Sequence, residues 1–245
     1  MLFLARSDYI GTTNVTQGGT YTAAQSGDYT SCAIMDYNNG ASSGTLSTWL
    51  ITPQTDFSTG ATLTFFTRTS TASSFADRMY VRYSTSGSSI DVGSTANSVG
   101  SFTNQLLVLN ENLVKGGYPE EWTQYTLSVP AQGAGVSGRF AFQYHVTNGG
   151  VAGLNSYFVA IDTVVISLGC ALSSGSSTTG SVSTTGTSSK ISYIYCVLIG
   201  EASGVVSTTG TTTGGSALCN LSEGFNNVAT LSSSDWAVVG KKIST

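Results

Sequence analysis

The chain has 245 residues, 29 of them glycine, with 9% charged residues and a formal net charge of −4. A soluble domain ordinarily carries about 25% charged residues, so solubility here rests on hydroxyl groups, a composition of all-β extracellular chains. The nine Lys and Arg form no run, which argues against a nucleic-acid partner, and no apolar stretch reaches the roughly 18 residues of a membrane span.

The opening, MLFLARSDYIGTT, lacks the basic start, the apolar stretch and the small-residue cleavage site of a signal peptide, so the chain reads as a fragment of a secreted protein. Asn14-Val15-Thr16 is a glycosylation sequon, as is Asn220-Leu221-Ser222. From residue 20 to 168 the pattern is that of strands. Leu63, Phe65 and Thr67 share one face, Met79, Val81 and Tyr83 another, and Tyr125, Leu127 and Val129 a third. Phe140, Phe142, Tyr144 and Val146 alternate with Arg139, Ala141, Gln143 and His145, and Tyr157 to Ile166 is apolar on both faces except at Asp162. Such period-2 runs, broken by Gly, Ser, Asn and Pro clusters, predict a β-sandwich or barrel. No amphipathic helix is predicted. Residues 84 to 121 form a long excursion with a short strand around Leu106 to Leu109, and a loop of that length is usually functional.

Two enzyme-like motifs fail on context. Gly40-Ala41-Ser42-Ser43-Gly44 spells G-x-S-x-G but lies in a turn before the Trp49 strand, whereas a hydrolase elbow needs a strand before it and a helix after it. Gly133 to Gly138 spells G-x-G-x-x-G, but a strand follows where a dinucleotide site needs a helix. His145, the sole histidine, alternates with core residues and reads as a polar position on the outer sheet face. Glu120 and Glu121 are neighbours on extended chain and point apart, unlike a glycosidase pair. Asp77 and Asp91 read as weaker metal ligands than Asp162, and Asp77, beside Arg78, alternatively as one half of a loop ion pair. Asp162 interrupts an apolar strand, where a bare charge is costly. It is expected to accept backbone hydrogen bonds or to bind calcium. From Ser173 to Ser189 every residue except Val182 is Ser, Thr or Gly, a flexible or O-glycosylated linker. Cys170 and Cys219 bracket that stretch, and a bridge between them would contribute about 4 kcal/mol.

A resemblance is carried by many short motifs in order: Trp49 to Pro53, Asp77 to Arg82, Ser84 to Gly87, Asp91 to Gly93, Gly117-Tyr118-Pro119, Trp122 to Tyr125, Gly138 to Val146, Asn148 to Gly150 and Ile161 to Val164. Residues 12 to 168 thereby resemble the choice-of-anchor J domain, a relative of the cleaved-adhesin domains of bacterial surface proteases. The resemblance implies a jelly-roll β-sandwich with an adhesion or binding role and no catalytic residues. It also implies a structural calcium near the last strand and the opening segment, which places Asp162 with Glu223 and Asn226. By fold analogy and composition, Tyr118, Trp122 and Tyr125 would stack on sugar rings, aided by the amides of Asn148 and Asn155. The order of segments departs from the family. The opening strand, with Gly-Phe and then Trp, resembles Leu221 to Val239 at the C-terminal end of this chain. Residues 219 to 245 therefore either complete the first domain, as a circular permutation would, or begin a second copy.

These readings converge on an all-β chain, a jelly-roll β-sandwich of two antiparallel sheets. The sandwich spans 1–168, the Ser/Thr/Gly linker 169–218 with a short apolar segment at 191–199, and a displaced opening strand 219–245. The expected function is a non-catalytic extracellular or cell-surface module that binds a glycan or a surface protein, with calcium as the expected ion. The alternatives are a structural spacer in a repetitive surface protein and, remotely, a hydrolase.

Overall fold

A computed structural model describes residues 6–7, 16–17, 21–40, 42–169, 220–223 and 237–242. Among them lie thirteen strands and one 3-10 turn, Tyr37–Asn39. The strands are β1 (Arg6–Ser7), β2 (Thr16–Gln17), β3 (Ala33–Asp36), β4 (Gly44–Ile51), β5 (Thr55–Asp56), β6 (Ala61–Arg68) and β7 (Met79–Ser84). They continue as β8 (Asn104–Leu109), β9 (Thr123–Val129), β10 (Ser137–Gly149), β11 (Phe158–Leu168), β12 (Asn220–Glu223) and β13 (Ala237–Lys242). One sheet runs β1-β13-β4-β10-β7-β8, with β5 beside the start of β10, and the other runs β2-β3-β11-β6-β9, with β12 beside β11. All pairs are antiparallel except β1 with β13. Because β3, β4, β6, β7, β9, β10 and β11 cross repeatedly between the sheets, the two inner faces close on one core, as in a jelly roll.

Alternation makes these strands. In β6 the burial alternates residue by residue, with Ala61, Leu63, Phe65 and Thr67 inward and Thr62, Thr64, Phe66 and Arg68 half-exposed. Leu50, Phe65, Phe142, Tyr144, Val159 and Ile161 meet in the core between the sheets, where Phe65 meets Phe142 edge-on at 4.9 Å. Strands β4 and β11 are instead buried on both faces, because each sheet also carries a roof on its outer side. Val92 and Phe102, from the first half of the long excursion, cover Trp49, Ile51 and Ala141. Tyr21 and Ala24 cover Cys32, Ile34, Phe158 and Ala160 on the other sheet. This explains why Tyr157 to Ile166 is apolar on both faces.

The C-terminal strands enter both sheets. β13 pairs with β4 from Leu46 to Ile51, and β12 pairs with β11 from Val164 to Ser167. Strands β3 and β12 thus lie end to end along one edge of β11, since β3 occupies Phe158 to Ile161. Asp162 and Thr163 fall at the joint, where a bulge shifts the β11–β6 register and Thr163 adopts φ 49°.

Candidate functional site

Antiparallel pairing gathers the connections β3–β4, β6–β7, β8–β9 and β10–β11 at one end of the sandwich, since Tyr144 pairs Met79, Met79 pairs Leu109, Thr67 pairs Thr123 and Phe158 pairs Asp36. Asp77 holds these loops together from inside. Its Oδ1 accepts from the Tyr144 hydroxyl at 2.6 Å and the Tyr157 backbone N–H at 2.7 Å. Its Oδ2 lies 2.8 Å from Thr69 Oγ1, and its own carbonyl accepts from Asn110 Nδ2 at 2.8 Å. Burial pushes the Asp77 carboxyl up to about 6, against the hydrogen bonds from Tyr144, Tyr157, Thr69 and Phe158 that favour the anion. The Thr69 hydroxyl has one proton for two acceptors, because Phe158 O also lies 2.7 Å away. Protonated Asp77 resolves that conflict by donating to Thr69, which then donates to Phe158. The expected ion pair with Arg78 does not form. Arg78 turns to the opposite face of the strand and donates to the His145 and Glu111 carbonyls and to His145 Nδ1.

The outside of this end is apolar. Phe75, Val114, Val151 and Leu154 are 41%, 58%, 61% and 71% exposed and sit on three of the four loops. Beside them Tyr37 stacks on Tyr157 at 6.2 Å, and Tyr21 meets Tyr157 edge-on at 5.6 Å. The Tyr21 hydroxyl donates to Asp36 Oδ2 at 2.9 Å, and Asn38 Nδ2 donates to the same oxygen at 3.2 Å. Asp36 also caps the 3-10 turn by accepting from the Asn38 backbone N–H at 2.9 Å.

The residues expected to stack on sugar divide. Tyr118 is 2% exposed, with its hydroxyl 2.6 Å from Thr67 Oγ1, so neither ring face is free. Thr67 Oγ1 donates to Ala160 O, which leaves the Tyr118 hydroxyl as the donor to Thr67. Tyr125 stacks on Phe65 at 5.7 Å at the margin of the core. Trp122 packs against the Tyr21 roof, and its indole N–H donates to Ala23 O at 3.2 Å. Asn148 and Asn155 do come together, because the Asn155 N–H donates to Asn148 O at 3.0 Å across the β10–β11 loop. The sequence missed Tyr21, Tyr37 and Tyr157 as a cluster, since only the β3–β11 pairing joins them.

Asp162 is fully buried and accepts three backbone N–H groups: Gln25 at 2.8 Å, Ser26 at 3.1 Å and Thr163 at 2.6 Å. Its carboxyl is raised by burial, with those three bonds opposing. Its job in the fold is to anchor the 21–31 roof. Calcium requires six to eight oxygen ligands, and donors already occupy both Asp162 oxygens. Among the described residues no three His, Cys, Asp or Glu side chains converge. Glu223 is paired by backbone register with Val164. Asn226, the Cys170–Cys219 pair, Asn14 and the linker lie outside the described residues, and of Asn220 only the strand backbone is described. Cys32 is buried, and its thiol is pushed up to about 12.

His145 is an engaged outer-face residue, with Nδ1 2.9 Å from Arg78 and Nε2 3.1 Å from Asn97 Oδ1. Arg78 is a donor only, so Nδ1 accepts and the proton sits on Nε2. Burial first, then the Arg78 and Arg82 charges, push the imidazole down to about 4. No helix among the described residues is long and apolar enough to cross a membrane.

No family model and no curated protein matches the chain. Among solved structures the chain is similar to the K1 cleaved adhesin domain of Lys-gingipain from Porphyromonas gingivalis W83, at 21% identity over 62% of this chain and 80% of that one, with a TM-score of 0.40. It is also similar to the K3 cleaved adhesin domain of the same protein, at 21% identity over 55% of this chain and 73% of that one, with a TM-score of 0.35.

Proposed function

We propose that the chain is a non-catalytic, extracellular or cell-surface adhesion module that binds a glycan or a surface protein through the loop end of the sandwich. The observation that carries this reading is the placement of Phe75, Val114, Val151 and Leu154 in solvent on loops of one end, above a network that holds those loops in place. Large apolar side chains grouped on rigidly held loops mark recognition surfaces. The neighbouring tyrosines and the Asn148–Asn155 pair supply the ring faces and amides that a sugar requires. In support of a non-catalytic role, the sole histidine is held neutral between Arg78 and Asn97.

The test is a glycan-array screen of the purified chain, run with calcium and with EDTA, alongside a doubly substituted chain carrying Val151→Ser and Leu154→Ser. Binding to a sugar family that weakens at least tenfold in the double variant, at unchanged Tm, supports the reading. Loss in EDTA would give calcium a part in recognition. A blank array in both arms on folded protein would turn the reading to a structural spacer or a protein-binding adhesin.

A further inference from the structure

Strand β7 and the residue before it carry a cationic row. Arg78, Tyr80 and Arg82 recur at every second residue on the outer face, with the guanidinium carbons 5.4 Å and 4.8 Å from the centre of the Tyr80 ring. Arg78 spends its nitrogens on His145 and Glu111. Arg82 does not. Its Nε donates to Gln143 Oε1 at 2.9 Å, and its two terminal nitrogens have no acceptor among the described residues. Gln143 in turn donates to Ser47 Oγ at 3.1 Å, which also accepts from the Trp49 indole at 3.0 Å, so Arg82 is held from behind through a buried chain. Among the described residues neither guanidinium has a carboxylate partner, and the ion pair found there is Arg68 with Glu121 at 3.6 Å. The exposed Gln105 is paired in register with Arg82, and the exposed Asn97 is bound to His145.

We propose that Arg82, with Arg78 behind Tyr80 and the amides of Gln105 and Asn97 at its rim, forms an oxyanion site for the carboxylate or sulfate of an acidic glycan. Burial disfavours the Arg82 charge, and an oxyanion across that edge of Arg82 offsets this through paired N–H bonds. The Arg78 bond to Glu111 joins this face to the β8–β9 loop, so the site borders the loop end and gives the glycan reading, on which it rests, a chemical class.

The experiment is a titration of the isotopically labelled full chain with four probes: a heparin-derived tetrasaccharide, an oligogalacturonate, a neutral cello-oligosaccharide and a poly-glutamate peptide. The readouts are the Arg Nε–H signals and the imidazole of the chain's sole histidine. The expected result is binding of an acidic sugar, weakened by salt, with the His145 pKa rising from about 4 as the nearby positive charge is neutralised. The tetrasaccharide alone would assign sulfate, and binding of both acidic sugars would assign carboxylate as sufficient. Arg82→Gln and the surface variant Gln105→Glu are each expected to weaken binding by about tenfold or more. Gln105→Glu disturbs no buried contact and keeps the test valid should Arg82→Gln fold poorly. Equal binding of neutral and acidic sugars would overturn the site while leaving the glycan reading intact. Preference for poly-glutamate, or acidic-sugar binding unaffected by Gln105→Glu, would also overturn it. Failure of every sugar would overturn both.

Discussion

The carboxyl of Asp77 and the imidazole of His145 titrate across the same pH range with opposite effects on stability. Asp77 rises from 3.8 to about 6 on folding. Between those values the folded chain binds the extra proton, so this contribution is complete below pH 4 and is lost as pH rises through 6, about 3 kcal/mol in all. His145 falls from 6.5 to about 4. Here the unfolded chain binds the proton, so stability is present above pH 6.5 and is lost as pH falls through 4, by an amount reduced by partial exposure. The raised carboxyl of Asp162 acts in the same sense as Asp77. Calorimetry from pH 7 to 4 should therefore find His145→Gln gaining stability relative to the parent as acid is added, and Asp77→Asn losing it. An Asn at 77 accepts from Tyr144 and Tyr157 and donates to Thr69, as the protonated acid does. Asp77→Asn should thus cost less than about 1 kcal/mol at pH 7, whereas Asp77→Ala leaves buried donors unmatched and should cost about 3 kcal/mol or more. Equal losses for the two variants would contradict this account of the network.

At the scale of elements, β4 is the strand that most depends on a distant partner. It is buried from Leu46 to Ile51, and β13 provides one of its two neighbours. Removing residues 219–245 would turn β4 into an open apolar edge and strip β12 from β11. The truncated chain should melt more than about 10 °C lower and self-associate, as read by calorimetry and sedimentation. An unchanged Tm would mean that these pairings carry no stability. A second local test is Gly138→Ala. An added Cβ would run into the Ser84 carbonyl and crowd Phe57 where β10 meets β7, at an expected cost of about 2–3 kcal/mol by thermal melting. Most of these elements were legible in the chain itself. The period-2 runs at 63–67, 79–83, 125–129 and 140–146 are strands β6, β7, β9 and β10, and the short strand inside the excursion is β8. The roofs were not legible, because Phe102 over Trp49 and Tyr21 over Phe158 are contacts between residues far apart in sequence. Tyr118 was misplaced for a related reason. An aromatic residue beside a proline in a loop gives no sign that Thr67 waits beneath it to receive its hydroxyl.

At the scale of the molecule, among the described residues Phe75, Val114, Val151 and Leu154 meet water at the loop end, and Arg78 and Arg82 lie at the β7–β8 margin. Hydrogen exchange should follow that division. Amides of β4, β11 and the 138–146 stretch of β10 should be slowest, and slowing at 150–155 on ligand binding is the signature of recognition at that end. The scattered cations of the sequence are gathered by the fold: Arg78, Arg82 and Arg139 all reach the outer face of one sheet. Alternation alone puts Arg78 and Arg82 on one face, whereas Arg139 joins them only through the β10–β7 register.

The paired hydroxyls of Thr67 and Thr69 have a further consequence for how the sandwich avoids error. A slip of two residues between β6 and β11 keeps every apolar side chain on its proper face, so hydrophobic alternation gives no defence against it. In the direction that sets Thr67 at the Phe158 carbonyl and Asp77, Phe65 takes its place at Ala160 and Tyr118, whose polar atoms lose their hydroxyl partner in the core. The polar seam thus acts as a proofreading device, penalising the one kind of misalignment that greasy residues tolerate.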